Sequence, residues 1–316
     1  MTENRIYYSY SEYLKKKYGE KVYKLPVNLP VSCPNRKEGA GCTFCAEEGT
    51  GFEAADAGMS VREQLAASRI KVEKRYHAGK FIAYFQNYTN TFLPLPQLMS
   101  YLREAAAVED VVELCLSTRP DCIRRDYLEA MAALKEETGL EISLELGLQT
   151  VNYHTLRAVN RGHGLAEFLD AVLSAAPFGF PVCVHMILNL PGDTMEDARE
   201  SARILSALPV SMVKLHSLYI PKKSVLYQEY RNGRISVCEK EEYLERLAEF
   251  IALLRPDIAV ERLFARIPER DSAFCNWGCS WWKLMEEWKT LMEQKKYAQG
   301  IHYHYLNGAA LDRWGL

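Results

Sequence analysis

Three cysteines, Cys33, Cys42 and Cys45, lie within the run SCPNRKEGAGCTFC. Thiolates on one loop bind soft metal centres, and three of them supply one ligand fewer than a closed tetrahedral zinc site or a fully ligated cubane cluster takes. A coordination position left open in this way marks a centre that does chemistry. Gly39 and Gly41 let the loop turn back so that Cys33 can approach the other two, and Gly49 and Gly51 give similar freedom beyond it. Two plainer readings of the spacing stand beside this one: a structural zinc knuckle whose fourth ligand lies elsewhere, and unrelated buried thiols.

The elements that must position this loop alternate in kind. VYKLPVNLPV, residues 22–31, reads as a short strand feeding the cysteines, and further strands are expected at 80–86, 111–118, 141–150, 181–190 and 212–220. Helical segments separate them, one opened by a capping box of Ser60 and Glu63, another capped by Asp193 with Glu196 three residues on. Repeated βα units give a parallel sheet. Along 141–149, Ile142, Leu144, Leu146 and Leu148 fall on one face and Ser143, Glu145, Gly147 and Gln149 on the other, whereas a doubly covered sheet is apolar on both. The same split recurs in Glu113, Cys115, Ser117 and Arg119, in Tyr84 and Gln86, in His185, and in Lys214 and His216. Polar groups thus converge on strand C-termini, where sites in α/β barrels are built. The expected fold is α/β, a partial (β/α)6 TIM-type barrel: a leader over residues 1–20, a core over 21–236, and a helical C-terminal cap over 237–316 with helices at 239–255 and 280–297.

A chain of 316 residues with 48% hydrophobic content can bury one barrel-sized core, and no linker, repeat or low-complexity tract divides it. No apolar run approaches the length of a membrane span, and the polar, aromatic N-terminus has no signal core. Nine cysteines in such a chain point to reduced thiols and a cytoplasmic setting. A net charge of −2 predicts no broad attraction to nucleic acid or membrane. A local cluster is a separate matter. Tyr7, Tyr8, Tyr10, Tyr13, Tyr18 and Tyr23 stand among Lys15, Lys16, Lys17, Lys21 and Lys24, a mixture that stacks on bases and contacts phosphates, or else forms an amphipathic helix packed on the barrel. Cys275 and Cys279, beside three tryptophans, read as buried small hydrophobes in preference to a second metal site, and His302 and His304 as part of a packed end.

CPNR…GCTFC after an N-terminal strand resembles the cluster loop of radical S-adenosylmethionine (SAM) enzymes. The first gap is eight residues in place of the commoner three, a departure shared by the YhcC-like and Elongator-catalytic-subunit-like branches; Pro34, Asn35 and Arg36 match the YhcC-like branch. ELGLQT (145–150), LRAVNRGH (156–163), STRPDC (117–122) and HMILNLPGDTMED (185–197) resemble further family segments, with Asn189 where the last usually has its first glycine. The resemblance implies that Cys33, Cys42 and Cys45 ligate a 4Fe-4S cluster whose fourth iron chelates SAM, and that reduction yields a 5′-deoxyadenosyl radical. It implies SAM contacts from Gln86, Glu145, Gln149 and Arg161, substrate contact or proton management by His185, Lys214 and His216, and an electron donor such as flavodoxin or ferredoxin. The Elongator-like branch further implies a tRNA substrate, at the side chain of a wobble uridine. A radical enzyme for a small molecule or peptide, and a non-catalytic metal-binding scaffold, are the alternatives.

Overall fold

Short apolar runs flanked by helical segments become strands when their backbone groups pair with neighbours, and here they do so almost entirely in parallel. The computed structural model describes residues 5–45, 55–266 and 271–315; Gly49 and Gly51 lie outside these. The strands are β1 (Val22–Val27), β2 (Lys80–Phe85), β3 (Val111–Thr118), β4 (Glu141–Gln149), β5 (Val182–Ile187), β6 (Met212–His216), β7 (Tyr219–Pro221), β8 (Ala259–Arg262) and β9 (Ser272–Cys275). One sheet runs β1-β2-β3-β4-β5-β6-β8, parallel throughout, and β7 pairs antiparallel with β9. The α/β partial barrel is borne out, with a correction: a seventh strand lies in the region assigned from sequence to a helical cap. Four residues carry too little alternation to be read as a strand, but pairing with β6 satisfies a backbone edge that would otherwise be left open.

The helices pack on the outer face of the sheet, where Leu116, Leu144, Leu146, Val184 and Leu215 are fully buried in one continuous core. At about 1.5–3 kcal/mol for each fully buried large apolar side chain, this face holds the sheet against its helices. The capping box at Ser60 and Glu63 forms as expected. The helix Met195–Ala207 is capped by Thr194 with Asp197, not by Asp193 with Glu196. Asp193 is instead buried, and its carboxyl is pushed up to about 6 by desolvation. In the C-terminal region the helices Lys240–Leu253 and Trp281–Lys295 form close to where they were expected. Cys275 and Cys279 are half-buried rather than fully buried, Cys279 packing against the core. No described helix is long and apolar enough to cross a membrane.

A barrel of seven strands leaves a seam between β1 and β8, and the leader covers it. Val260 donates its backbone N–H to the Tyr8 carbonyl at 2.8 Å, and the leader helix Tyr10–Tyr18, with its Ser9–Glu12 capping box, crosses the N-terminal ends of the strands. Leu14 packs with Val22, Ile82, Tyr84 and Cys115, while Tyr10 and Tyr13 pack on Cys183, Met212 and Ala259. Tyr18 hydrogen-bonds Glu113, and Lys17 pairs with Glu113 at 3.3 Å and Glu141 at 3.2 Å. Most of the tyrosine and lysine cluster is therefore a barrel plug, and Lys15, Lys16 and Lys21 are its exposed cations. Inside the seam, the Lys24 ammonium bridges Glu145 of β4 and Glu261 of β8, the latter at 2.7 Å.

Replacing Lys24 with Met leaves Lys214 as the one ammonium between Glu145 and Glu261, so urea unfolding should show a loss of about 3–5 kcal/mol. Adding Glu261→Gln should recover part of it by removing one of the two carboxylates. A loss under about 1 kcal/mol for the single variant would show that the seam does not depend on this pair.

Candidate active site

The cysteine loop leaves the C-terminal end of β1 and is held by the segment that follows β4. Cys33 caps a short turn, Pro34–Lys37, its carbonyl accepting from the N–H groups of Arg36 at 2.9 Å and Lys37 at 3.1 Å. The Asn35 amide donates to the Asn160 carbonyl at 2.6 Å and to the Cys42 sulfur at 3.5 Å. Asn160 in turn donates to the Gly41 carbonyl at 2.8 Å, and Thr43 N–H to the Val159 carbonyl at 2.9 Å. Gly162 has φ +79°, and a Cβ there would stand 2.6 Å from Asn35 Oδ1, so only glycine lets this brace close.

Two guanidinium groups face the sulfurs. Arg161 Nη1 lies 3.6 Å from Cys42 Sγ and Arg119 Nη1 3.7 Å from Cys33 Sγ. Arg161 is fixed by the Gly147 carbonyl, which its Nη2 reaches at 2.5 Å, and Arg119 by Asp121. The Cys42 thiol is pulled down to about 5, first by the hydrogen bond from Cys45 and then by the Arg161 charge, with burial opposing. Cys45 moves the other way, because it keeps the proton that it donates to Cys42 and because it is buried. His163, whose Nε2 is 3.1 Å from the Gly147 carbonyl, is lowered to about 4 by burial and the Arg161 charge and is neutral at pH 7.

The inward faces of the strands meet in a second cluster. Glu145 is fully buried, and burial alone would raise its pKa; Lys214, Lys24 and His185 outweigh that and hold it well below the ordinary carboxylate range. Lys214 reaches Glu145 at 3.2 Å and Glu261 at 2.9 Å. Burial would lower its pKa, but the two carboxylates keep it raised and the ammonium charged. Tyr84 donates its phenol to Glu145 at 2.6 Å, and His185 Nε2 sits 2.6 Å from the same oxygen. The His216 ring is 5.6 Å from that of His185. Burial lowers both imidazoles; for His216 the Arg262 charge adds to it, and for His185 the Glu145 charge opposes it.

One cavity of about 1050 Å³ joins the two clusters. All ten side chains singled out from sequence border it: Cys33, Cys42 and Cys45 at one end, Gln86, Gln149 and Arg161 beside them, and Glu145, His185, Lys214 and His216 beneath. Glu145, expected to touch SAM, spends its oxygens on Lys24, Lys214, Tyr84 and His185. Gln149 sits at a break in the β4–β5 register with φ +82°, a conformation costly to a non-glycine residue and most often kept where a site requires it. Among the lining residues given no role from sequence are Arg119 and Tyr84, seen only as inward-facing, Lys24, read as one lysine of the tyrosine–lysine cluster, and Glu261, on the unrecognised strand.

The residues fit a 4Fe-4S cluster. Among the described residues, the only trio of His, Cys, Asp or Glu ligand atoms within 4.8 Å of one another is Glu145, Cys183 and His185. Cys33, Cys42 and Cys45 do not form such a trio, so at least one pair of the loop sulfurs stands more than 4.8 Å apart, wider than the sulfurs around one tetrahedral zinc ion at about 3.8 Å. The Glu145 trio is unsuited to a cation, since two ammonium groups already hold its carboxylate. Beside Cys42, Arg161 Nε is buried with no hydrogen-bond partner, a donor suited to a cluster sulfide or a carboxylate.

In metal-free protein, alkylation of Cys42, followed by mass spectrometry of its peptide, should rise with a midpoint near pH 5. Cys45→Ala removes the donor that contributes most and should move the midpoint up towards the ordinary thiol value of about 8.5. A midpoint unchanged by this substitution would contradict the hydrogen bond as the cause.

A family model described as the Radical SAM superfamily matches residues 27–205, and one for the Radical SAM C-terminal domain matches residues 210–294. Protein YhcC of Escherichia coli K12 is 33% identical over 304 residues, 95% of this chain and 94% of its own length. The tRNA uridine(34) acetyltransferase of Methanocaldococcus jannaschii is 24% identical over 177 residues, 54% of this chain and 32% of that one. Among solved structures, Elp3 of Methanocaldococcus infernus, lacking N-terminal residues 1-46, superposes with a TM-score of 0.67 over 88% of this chain and 64% of that one, at 17% identity, a likeness of fold.

Proposed function

Because the chain belongs to the radical SAM superfamily, we propose that this enzyme modifies a base in tRNA, at the side chain of a wobble uridine. It is a radical SAM enzyme, dependent on a 4Fe-4S cluster and SAM. When bound, the two together supply one-electron cleavage of SAM and with it the power to abstract hydrogen from an unactivated carbon. The single observation that carries the assignment is the loop of three thiols, one already stabilised as thiolate, opening with two fixed guanidinium groups onto a cavity far larger than its ligating end.

Cys33, Cys42 and Cys45 hold the cluster, and Arg119 and Arg161 offset the negative charge of the thiolates. Gln86 and Gln149 orient SAM with the upper face of the cavity. Glu145 acts as an anchor that fixes Lys214 and His185 in register, not as a direct ligand. His185 and His216, neutral at pH 7, take or give a proton near the substrate, and the charged Lys214 holds an anionic or carbonyl group of it. A cavity of about 1050 Å³ is at the upper limit for small-molecule sites, which leaves room for a nucleoside beside SAM. Support for tRNA comes from the relative named as a tRNA uridine(34) acetyltransferase and from cations that border the cavity, among them Arg36, Arg262 and Arg266. Those cations also weigh against the small-molecule or peptide reading. An electron donor such as flavodoxin or ferredoxin completes the reaction, in the reducing cytoplasm.

Anaerobic reconstitution should load about four irons per chain, and Ala at any one of Cys33, Cys42 or Cys45 should abolish both iron loading and SAM cleavage. Nucleoside profiles of tRNA from cells with and without the gene should differ in one modified uridine. An identical profile, with dithionite-driven SAM cleavage intact, would overturn the tRNA reading and leave the radical SAM assignment standing.

A further inference from the structure

The helix Trp281–Lys295 begins with two adjacent tryptophans, the first of which lies under Arg266, a residue that borders the cavity. Their ring centroids are 3.5 Å apart with planes inclined by 29°, and the Arg266 guanidinium lies 4.1 Å over the Trp281 ring. Arg266 also borders the cavity, close enough to Tyr7 for its charge to act on that phenol. Three planar groups therefore form a column running from the cavity rim outward: guanidinium, half-buried indole, exposed indole. Trp282, at the outer end, is 62% exposed. Single exposed apolar side chains are ordinary on protein surfaces. This one differs because it is already stacked on its inner face, in a column whose inner end, Arg266, borders the cavity together with Arg262, in a chain whose net charge is −2.

We propose that the Arg266–Trp281–Trp282 column is a stacking platform for an unpaired RNA base, the neighbour of the nucleotide that enters the cavity. The proposal rests on the tRNA reading above and adds to it how the strand is held. Every base has a π face, so an exposed indole accepts any of them without reading sequence, and single-stranded RNA sites pair such faces with cations that meet the phosphates. Splaying one nucleotide into the cavity unstacks its neighbour, and Trp282 replaces the lost stacking partner. A protein partner would call for a broad apolar surface, whereas the groups that join this column to the cavity are the cations Arg266 and Arg262.

The test uses cluster-reconstituted full-length protein and a fluorescently labelled anticodon stem-loop RNA, with the same sequence as a full duplex for comparison. Trp282→Ala should weaken stem-loop binding by about tenfold, the usual loss for one base–aromatic stack. Trp282→Phe should stay within about threefold of the parent, since a smaller aromatic face still stacks. RNA-independent SAM cleavage should be unchanged in both variants, and the duplex should bind weakly to all three proteins. Equal stem-loop affinity for Trp282→Ala and parent would overturn the platform while leaving the tRNA reading intact. Failure of the parent to bind the stem-loop even at low salt would overturn both. A fall in assembly mass by light scattering for Trp282→Ala, with RNA affinity unchanged, would overturn it in favour of a contact between copies of the chain.

Discussion

Four charges from four strands, two of them buried and two nearly so, hold the interior of this barrel together: Lys24 on β1, Glu145 on β4, Lys214 on β6 and Glu261 on β8. Taking such groups out of water costs several kcal/mol each, and the cost is offset only where each finds opposite partners on more than one side. Here each does. Lys24 and Lys214 both contact both carboxylates, so the four form a closed ring with no net charge. Because β1 and β8 are the two edges of the sheet, the Lys24–Glu261 pair also closes the seam that hydrogen bonding between strands leaves open. An apolar filling would stabilise such an interior as well, but it would not hold His185 and a charged Lys214 at the cavity surface.

The cavity set above this ring has two chemically distinct ends. At one, thiols are polarised by Arg119 and Arg161 and braced by the Asn35–Asn160 exchange, so that the loop is fixed by groups outside its own sequence. At the other, two neutral imidazoles face a charged amine. Strand β4 connects them. Glu145 belongs to the lower end, while Gly147, whose carbonyl takes both Arg161 and His163, belongs to the upper. An added Cβ at Gly147 would stand 2.8 Å from Arg161 Nη2, so the strand must be bare where the arginine crosses it.

Much of this was legible in the sequence, for physical reasons that differ by element. The cysteine loop was readable because ligand type and spacing are local properties. The polar interior was readable because side chains alternate faces along a strand, so Ser143, Glu145, Gly147 and Gln149 had to share one surface wherever β4 lay. What was not legible depended on pairing across the chain. Lys24 stood in the sequence as one more lysine among the tyrosines, and only its position opposite β8 makes it a counter-ion inside the barrel. Glu261 sits on four residues too short to show a period, and their strand forms because β6 needs a neighbour. Asn189, expected as a mere departure from a glycine, accepts the Leu218 N–H at 2.7 Å with its side chain and so ties β5 to the segment after β6.

The central claim is that three thiolates hold a 4Fe-4S cluster whose fourth iron is open to SAM at the mouth of this cavity. Electron paramagnetic resonance of the reconstituted, dithionite-reduced protein, recorded before and after adding SAM, tests it most directly. The account predicts the signal of a single reduced 4Fe-4S cluster whose g-values shift when SAM is added, because the ligand set of one iron changes. A cluster spectrum unaltered by SAM, or zinc in place of iron in protein purified without oxygen, would contradict it.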